Sequence, residues 1–151
     1  MLPRLALASL LAALAVARCG DSGRGAPVPV ADAAAVTRGK ALYERNCASC
    51  HGARLEGQAD WRRRRPDGRM PAPPHDRSGH TWHHPDDVLF EIVKEGLVPG
   101  GNAPPGYLSD MPAFGRVLSD DEIRATLAYI ESGWPEEVWQ VRREILRNRK
   151  P

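Results

Sequence analysis

The sequence predicts an all-α domain of short helices joined by long loops. Three observations carry that expectation. Four segments place apolar residues at helical spacing. No segment of any length alternates in the manner of a strand. The 14 glycines and 14 prolines among 151 residues gather in a few stretches, which marks those stretches as loops. The length suggests one domain. A loop-rich chain of this size buries little apolar surface by itself, so a large bound cofactor would help supply the core.

In chain order, residues 1–18 read as an export signal. Arg4 supplies a positive start, Leu5 to Ala17 an apolar run, and Ala15-Val16-Ala17 a small-residue cleavage site. The run is too short for a comfortable span of ~20 residues. Cys19 follows directly. Val16-Ala17-Arg18-Cys19 partly resembles the lipidation signal of bacterial lipoproteins, although Arg18 stands where a small residue is expected. Lipidation and simple cleavage both stay open. Residues 19–31, rich in Gly, Pro and Ala, suit a flexible tether.

The main domain is expected over residues 32–133. Its first helix runs from Asp32, a suitable N-cap, to Asn46. Ala35, Val36, Gly39, Leu42 and Tyr43 share one face. Gly39 costs helix stability, and close approach of another backbone would justify it. Residues 52–83 lack periodicity and form a long irregular loop, of the kind that is usually functional or disordered. A second helix is signalled at His84-Pro85-Asp86-Asp87. Pro85 suits the first helical position and the two aspartates the positive end of the dipole. Val88, Leu89, Ile92 and Val93 make its apolar face, and Gly96 stops it. After another Gly/Pro loop, Ser119 and Glu122 fit a capping box. Ile123, Leu127 and Ile130 line that third helix, with Thr126 and Tyr129 beside it, and Gly133 ends it. Residues 134–151 form a basic helical extension, with Pro135 opening a fourth helix that carries Val138, Val141 and Ile145.

The chemistry is concentrated at Cys47-Ala48-Ser49-Cys50-His51. A redox disulfide also uses two cysteines at this spacing, but normally at a helix start after a strand. Here a helical pattern precedes the motif. Zinc would pair Cys47 and Cys50 with two of His75, His80, His83 and His84. That leaves His51 without a role, and exported cysteines more often form disulfides. Covalent haem c explains every member. Each thiol adds to one vinyl group, and the adjacent His51 supplies the proximal nitrogen to iron.

A distal ligand is then expected. Met111, in Ser109-Asp110-Met111-Pro112, follows His51 by 60 residues. That is ample chain to wrap a cofactor. Neighbouring prolines lower the entropy of holding the sulfur, and a Met/His pair raises the iron potential. Met70, in a second Met-Pro-Ala, is the rival at only 19 residues. A histidine in place of Met111 is a further alternative.

The motif Cys47-Ala-Ser-Cys50-His51-Gly, the Gly39/Tyr43 face, Asp110-Met111-Pro-Ala-Phe and the Leu-Ala-Tyr129-Ile helix together resemble class I c-type cytochromes, over residues 32 to 133. The resemblance implies the cytochrome c fold, with short helices and long loops wrapped around one covalent haem. It implies that the N- and C-terminal helices cross at Gly39, with Tyr129 packed at the crossing. The family usually has a leucine three residues before that tyrosine; Thr126 stands there. It also implies a proline carbonyl bonded to the proximal imidazole, for which Pro71, Pro73 and Pro74 are candidates.

The stretch Trp61–His84 is longer and richer in histidine than that pattern. His80, His83 and His84 allow an accessory metal site such as copper, a hydrogen bond from a histidine or Trp82 to a haem propionate, or simply a partly solvated surface loop. His84 is also a candidate cap for the second helix. The net charge of +2 argues against nucleic acid. Arg62–Arg65 and the tail residues Arg142, Arg143, Arg147, Arg149 and Lys150 could dock an acidic redox partner, touch anionic lipid, or form a solvated face.

The expected function is therefore a periplasmic, monomeric, single-haem electron carrier, with a membrane tether if Cys19 is lipidated. Both axial positions would be filled and no catalytic constellation stands out. The rivals are the haem subunit of a larger oxidoreductase, and a haem-based ligand sensor or peroxidase-like protein.

Overall fold

The computed structural model describes residues 32–148. The export segment, Cys19, the linker to residue 31, and Arg149 and Lys150 lie outside the described residues. The described chain is all-α, as expected: α1 (Ala33–Asn46), the single turn α2 (Ala48–His51), α3 (Asp86–Glu95), α4 (Asp120–Ser132) and α5 (Glu136–Asn148), with a 3-10 turn at Thr81–His83. Among the described residues there are no strands, only isolated bridges at Met70–Ser109 and Pro99–Ala103.

The helix ends follow their capping chemistry. The Asp32 carboxylate accepts from the Ala34 amide at 3.1 Å. Ser119 and Glu122 form the full capping box of α4, which satisfies two amides that the helix leaves unpaired. Pro85 is the N-cap of α3 and not its first helical residue. The His84 side chain makes no cap there. Gly96 ends α3 at φ +75°, a conformation that favours glycine.

α1 and α4 cross in contact. A Cβ on Gly39 would lie 1.9 Å from the Ala125 carbonyl oxygen and 3.1 Å from the Thr126 amide. Only glycine admits that approach. Thr126, almost fully buried, turns its hydroxyl to the Glu122 carbonyl at 2.8 Å, so a polar side chain occupies the crossing with its donor satisfied. The Tyr43 and Tyr129 rings meet at 5.4 Å. Leu42, Tyr43, Leu55, Leu89, Leu118, Ile123, Leu127, Ile130, Trp134 and Val138 form one continuous core.

α5 departs from its sequence pattern. Val138 is buried, but Val141 is exposed and Arg142 is only 1 % exposed. Arg142 therefore belongs to the interior and not to a docking tail. Its guanidinium donates to the carbonyls of Trp82, at 3.0 Å, and His84, and pairs with Asp86. It also lies over the Trp134 ring. A buried charge persists when paired and hydrogen-bonded, and this one fastens α5 to the loop that precedes α3.

Candidate functional site

The site is built on the turn that ends α1. The Cys47 amide donates to the Tyr43 carbonyl at 2.8 Å, and the amides of Cys50 and His51 both donate to the Cys47 carbonyl. This one-turn helix presents Cys47, Cys50 and His51 together. Both thiols are free, Cys50 exposed and Cys47 half-buried. Burial, assisted by the neighbouring Cys50, pushes the Cys47 thiol up to about 11. Gly52 closes the turn at φ +82°, and its carbonyl accepts from the Tyr43 hydroxyl at 2.8 Å.

His51 is buried. Its Nδ1–H donates to the Pro73 carbonyl at 2.8 Å. Of the three candidate prolines, Pro73 is thus the one that supports the imidazole. Burial lowers the pKa of His51, with the Pro73 bond opposing. The ring is therefore neutral near pH 7, as a metal ligand must be. With Nδ1 engaged, Nε2 is the nitrogen left for iron.

The backbone that carries Pro73 is gripped on two sides. A Cβ on Gly57 would lie 2.4 Å from the Pro74 nitrogen, and one on Gly79 would lie 1.9 Å from the Pro74 oxygen. Leu55, buried and at φ +69°, aims its carbonyl at the His75 amide, 2.8 Å away. A left-handed leucine costs roughly 1–2 kcal/mol, and such strain concentrates at functional sites.

His75 lies inside this structure. Its ring stacks on His51, with centroids 4.0 Å apart and planes at 21°. Its Nδ1 is hydrogen-bonded to the Thr81 hydroxyl at 2.8 Å. Burial holds its pKa well below the usual histidine value, with His51 and His80 adding to the effect. Of the other histidines, His80 and His84 meet edge to face, with ring centroids 5.4 Å apart. His80 stacks on Trp61 at 5.3 Å, His83 is exposed and His84 half-buried. Among the described residues, no group of three or more His, Cys, Asp or Glu side chains could hold a metal ion. His80 Nδ1 and Trp82 Nε1 are buried without a protein partner.

Met111 is half-buried in the loop before α4. Its amide donates to the Ser109 hydroxyl at 3.0 Å. Arg65 and Arg69 both pair with Asp110, at 2.9 and 3.1 Å. Arg69 also donates to the Ser109 carbonyl, and Arg65 to Gln58. Arg65 is thus a clamp on the methionine loop, whereas Arg62, Arg63 and Arg64 remain exposed. The Met70 amide donates to the Leu108 carbonyl at 2.8 Å, which places the two Met-Pro-Ala segments side by side.

A family model, Cytochrome c, matches residues 36–134. The chain belongs to the cytochrome c family. Its cofactor is covalent haem c, and its biochemical class is haem-based electron transfer. No curated protein and no solved structure matches the chain. The donor set suits that cofactor: two unpaired thiols and a neutral imidazole on one turn. The match ends at Trp134, so α5 and its Arg142 lie beyond it.

The candidate site was legible only in part from the sequence. The Cys47–His51 motif announces itself. The His75 stack, the Pro73 choice and the Asp110 clamp leave no local pattern, because each joins residues separated by turns with no periodicity.

Proposed function

We propose that this cytochrome is an exported, monomeric, class I one-electron carrier. Cys47 and Cys50 would form the thioethers, and His51 and Met111 would ligate the iron. The observation that carries this is the Cys47–His51 turn with His51 Nδ1 bonded to Pro73. That bond directs Nε2 to a metal and increases the ring's donor strength. When bound, the haem stores one electron as Fe(II) and releases it as Fe(III).

The chain's own residues orient and shelter. Pro73 fixes the imidazole, and the Arg65/Asp110/Arg69 clamp presents the Met111 loop. Prolines on that loop reduce the motion of the sulfur, so little rearranges between the two oxidation states. Trp82 Nε1, a buried donor with no protein partner, is available to a propionate. Exposed Cys50 leaves the attachment edge open to a redox partner, and Arg62, Arg63 and Arg64 favour an acidic one. The N-terminal run supports export to the periplasm, with Cys19 as the tether if lipidated.

Absorption spectra of the matured protein test this. A sharp reduced α-band together with a weak far-red sulfur-to-iron band in the oxidised form is expected. Met111→Ala should remove the far-red band, and Met70→Ala should leave it. The reverse result would make Met70 the ligand. Carbon monoxide binding to the reduced wild-type protein at neutral pH would favour the sensor or enzyme reading instead.

A further inference from the structure

Ring, hydroxyl and backbone contacts converge on His75, whose role the motif does not explain. The imidazole lies flat against His51, and Thr81, itself buried, holds its Nδ1. The His75 amide donates to Leu55, and its carbonyl accepts from Trp134 Nε1 at 2.8 Å. Tyr43 meets the ring edge-on at 6.3 Å. Every polar group of the His75 backbone is thus engaged, and the ring is held at one nitrogen and one face. This is far more fixation than an apolar filler would need.

We propose that His75 is a positioning residue that sets the plane of the His51 imidazole. This rests on His51 being the proximal ligand. The Nδ1–Pro73 bond fixes where the His51 ring points, but a single hydrogen bond still permits rocking about its own line. A flat, anchored ring at 4.0 Å removes that freedom. The plane of an axial imidazole decides which iron d-orbital it overlaps. That in turn orients the unpaired spin of the Fe(III) form, a property separate from whether the ligand is bound.

The test is proton NMR of the oxidised holoprotein, reading the paramagnetically shifted haem methyl lines. His75→Leu fills the volume without a flat face and should change the order or spread of those lines. His75→Phe restores a flat ring and should return them towards wild type. Thr81→Val, which frees the His75 nitrogen, should give a smaller displacement than His75→Leu. A wild-type pattern in His75→Leu overturns the proposal. So does a His75→Phe pattern displaced as far as that of His75→Leu, because the stack would then not be what matters. Failure of the underlying reading is distinct: His51→Ala would then keep the wild-type low-spin spectrum.

Discussion

The two sides of the candidate site are held in different ways. The His51 side is held from within. A buried imidazole bonds a carbonyl whose backbone is wedged between Gly57 and Gly79, and His75, Thr81 and Trp134 stand behind it. The Met111 side is tied to the end of α3 downstream, through the Phe114 and Gly115 amides on the Val93 and Lys94 carbonyls, and is held from outside upstream. Its clamp consists of ion pairs at Asp110 whose side chains are 36–51 % exposed. Leu108 and Val98 nearby are exposed, and a Cβ on Gly100 or Gly106 would meet nothing within 4 Å. Buried, satisfied contacts resist water and salt, whereas exposed pairs contribute little and are screened. The histidine side should thus act as the fixed support, and the methionine side as the yielding one.

The comparison breaks most readily at Gly79. A Cβ there would stand 1.9 Å from the Pro74 oxygen, so backbone must move, and that backbone carries the Pro73 carbonyl. Gly79→Ala is expected to cost on the order of 3 kcal/mol and to reduce haem incorporation. Thermal unfolding and the haem-to-protein absorbance ratio read both. A variant that loads and melts like wild type would mean that the Pro73–Pro74 segment is free to shift.

The sequence reveals these two sides unequally. Asp32, Gly39, Gly96 and the Ser119–Glu122 box announce their roles through local rules of capping and close approach, so helix limits and the crossing were readable. Cys47, Cys50 and His51 were readable because covalent attachment needs adjacent anchors. Residues 52–83 were not. What orders them is mostly long-range: Leu55 to His75, Gly57 to Pro74 and Trp134 to His75, with Gly79 closing locally on Pro74. Arg142 misled for a related reason. Its charge suggested a solvated tail, yet its partners are carbonyls about 60 residues away.

Glu131 gives the inner support an expected dependence on pH. It lies 3.9 Å from Arg142, whose guanidinium braces the Trp82–Asp86 stretch next to Thr81. Burial, followed by repulsion from Asp86, raises the Glu131 pKa to about 7 against the pull of Arg142. A carboxyl with a raised folded-state pKa contributes stability that is present below its unfolded value and is lost as pH rises through about 7. The neutral-state preferences of His80 and His84, which are lowered by burial, act in the opposite sense. The difference between wild type and Glu131→Gln isolates the carboxyl. Glu131→Gln should gain on the order of 2 kcal/mol relative to wild type between pH 5 and pH 8. Parallel melting curves across that range would show that Glu131 is not desolvated in solution.

The smallest expected effect lies at Asp110, and it addresses the outer side directly. The carboxylate receives both Arg65 and Arg69, and its own residue precedes Met111. Exposed pairs are each worth about 0–1 kcal/mol and fade over a Debye length of ~8 Å at physiological salt. Added imidazole competes with Met111 for the oxidised iron, so its apparent affinity reports how firmly the loop is held. Asp110→Asn should strengthen imidazole binding about threefold at low salt, which corresponds to about 0.7 kcal/mol. Raising the salt should strengthen imidazole binding to wild type towards the variant's value while leaving the variant nearly unchanged. Equal salt dependence in the two proteins would remove the ion-pair clamp from the account and leave the methionine loop to its prolines and its backbone hydrogen bonds.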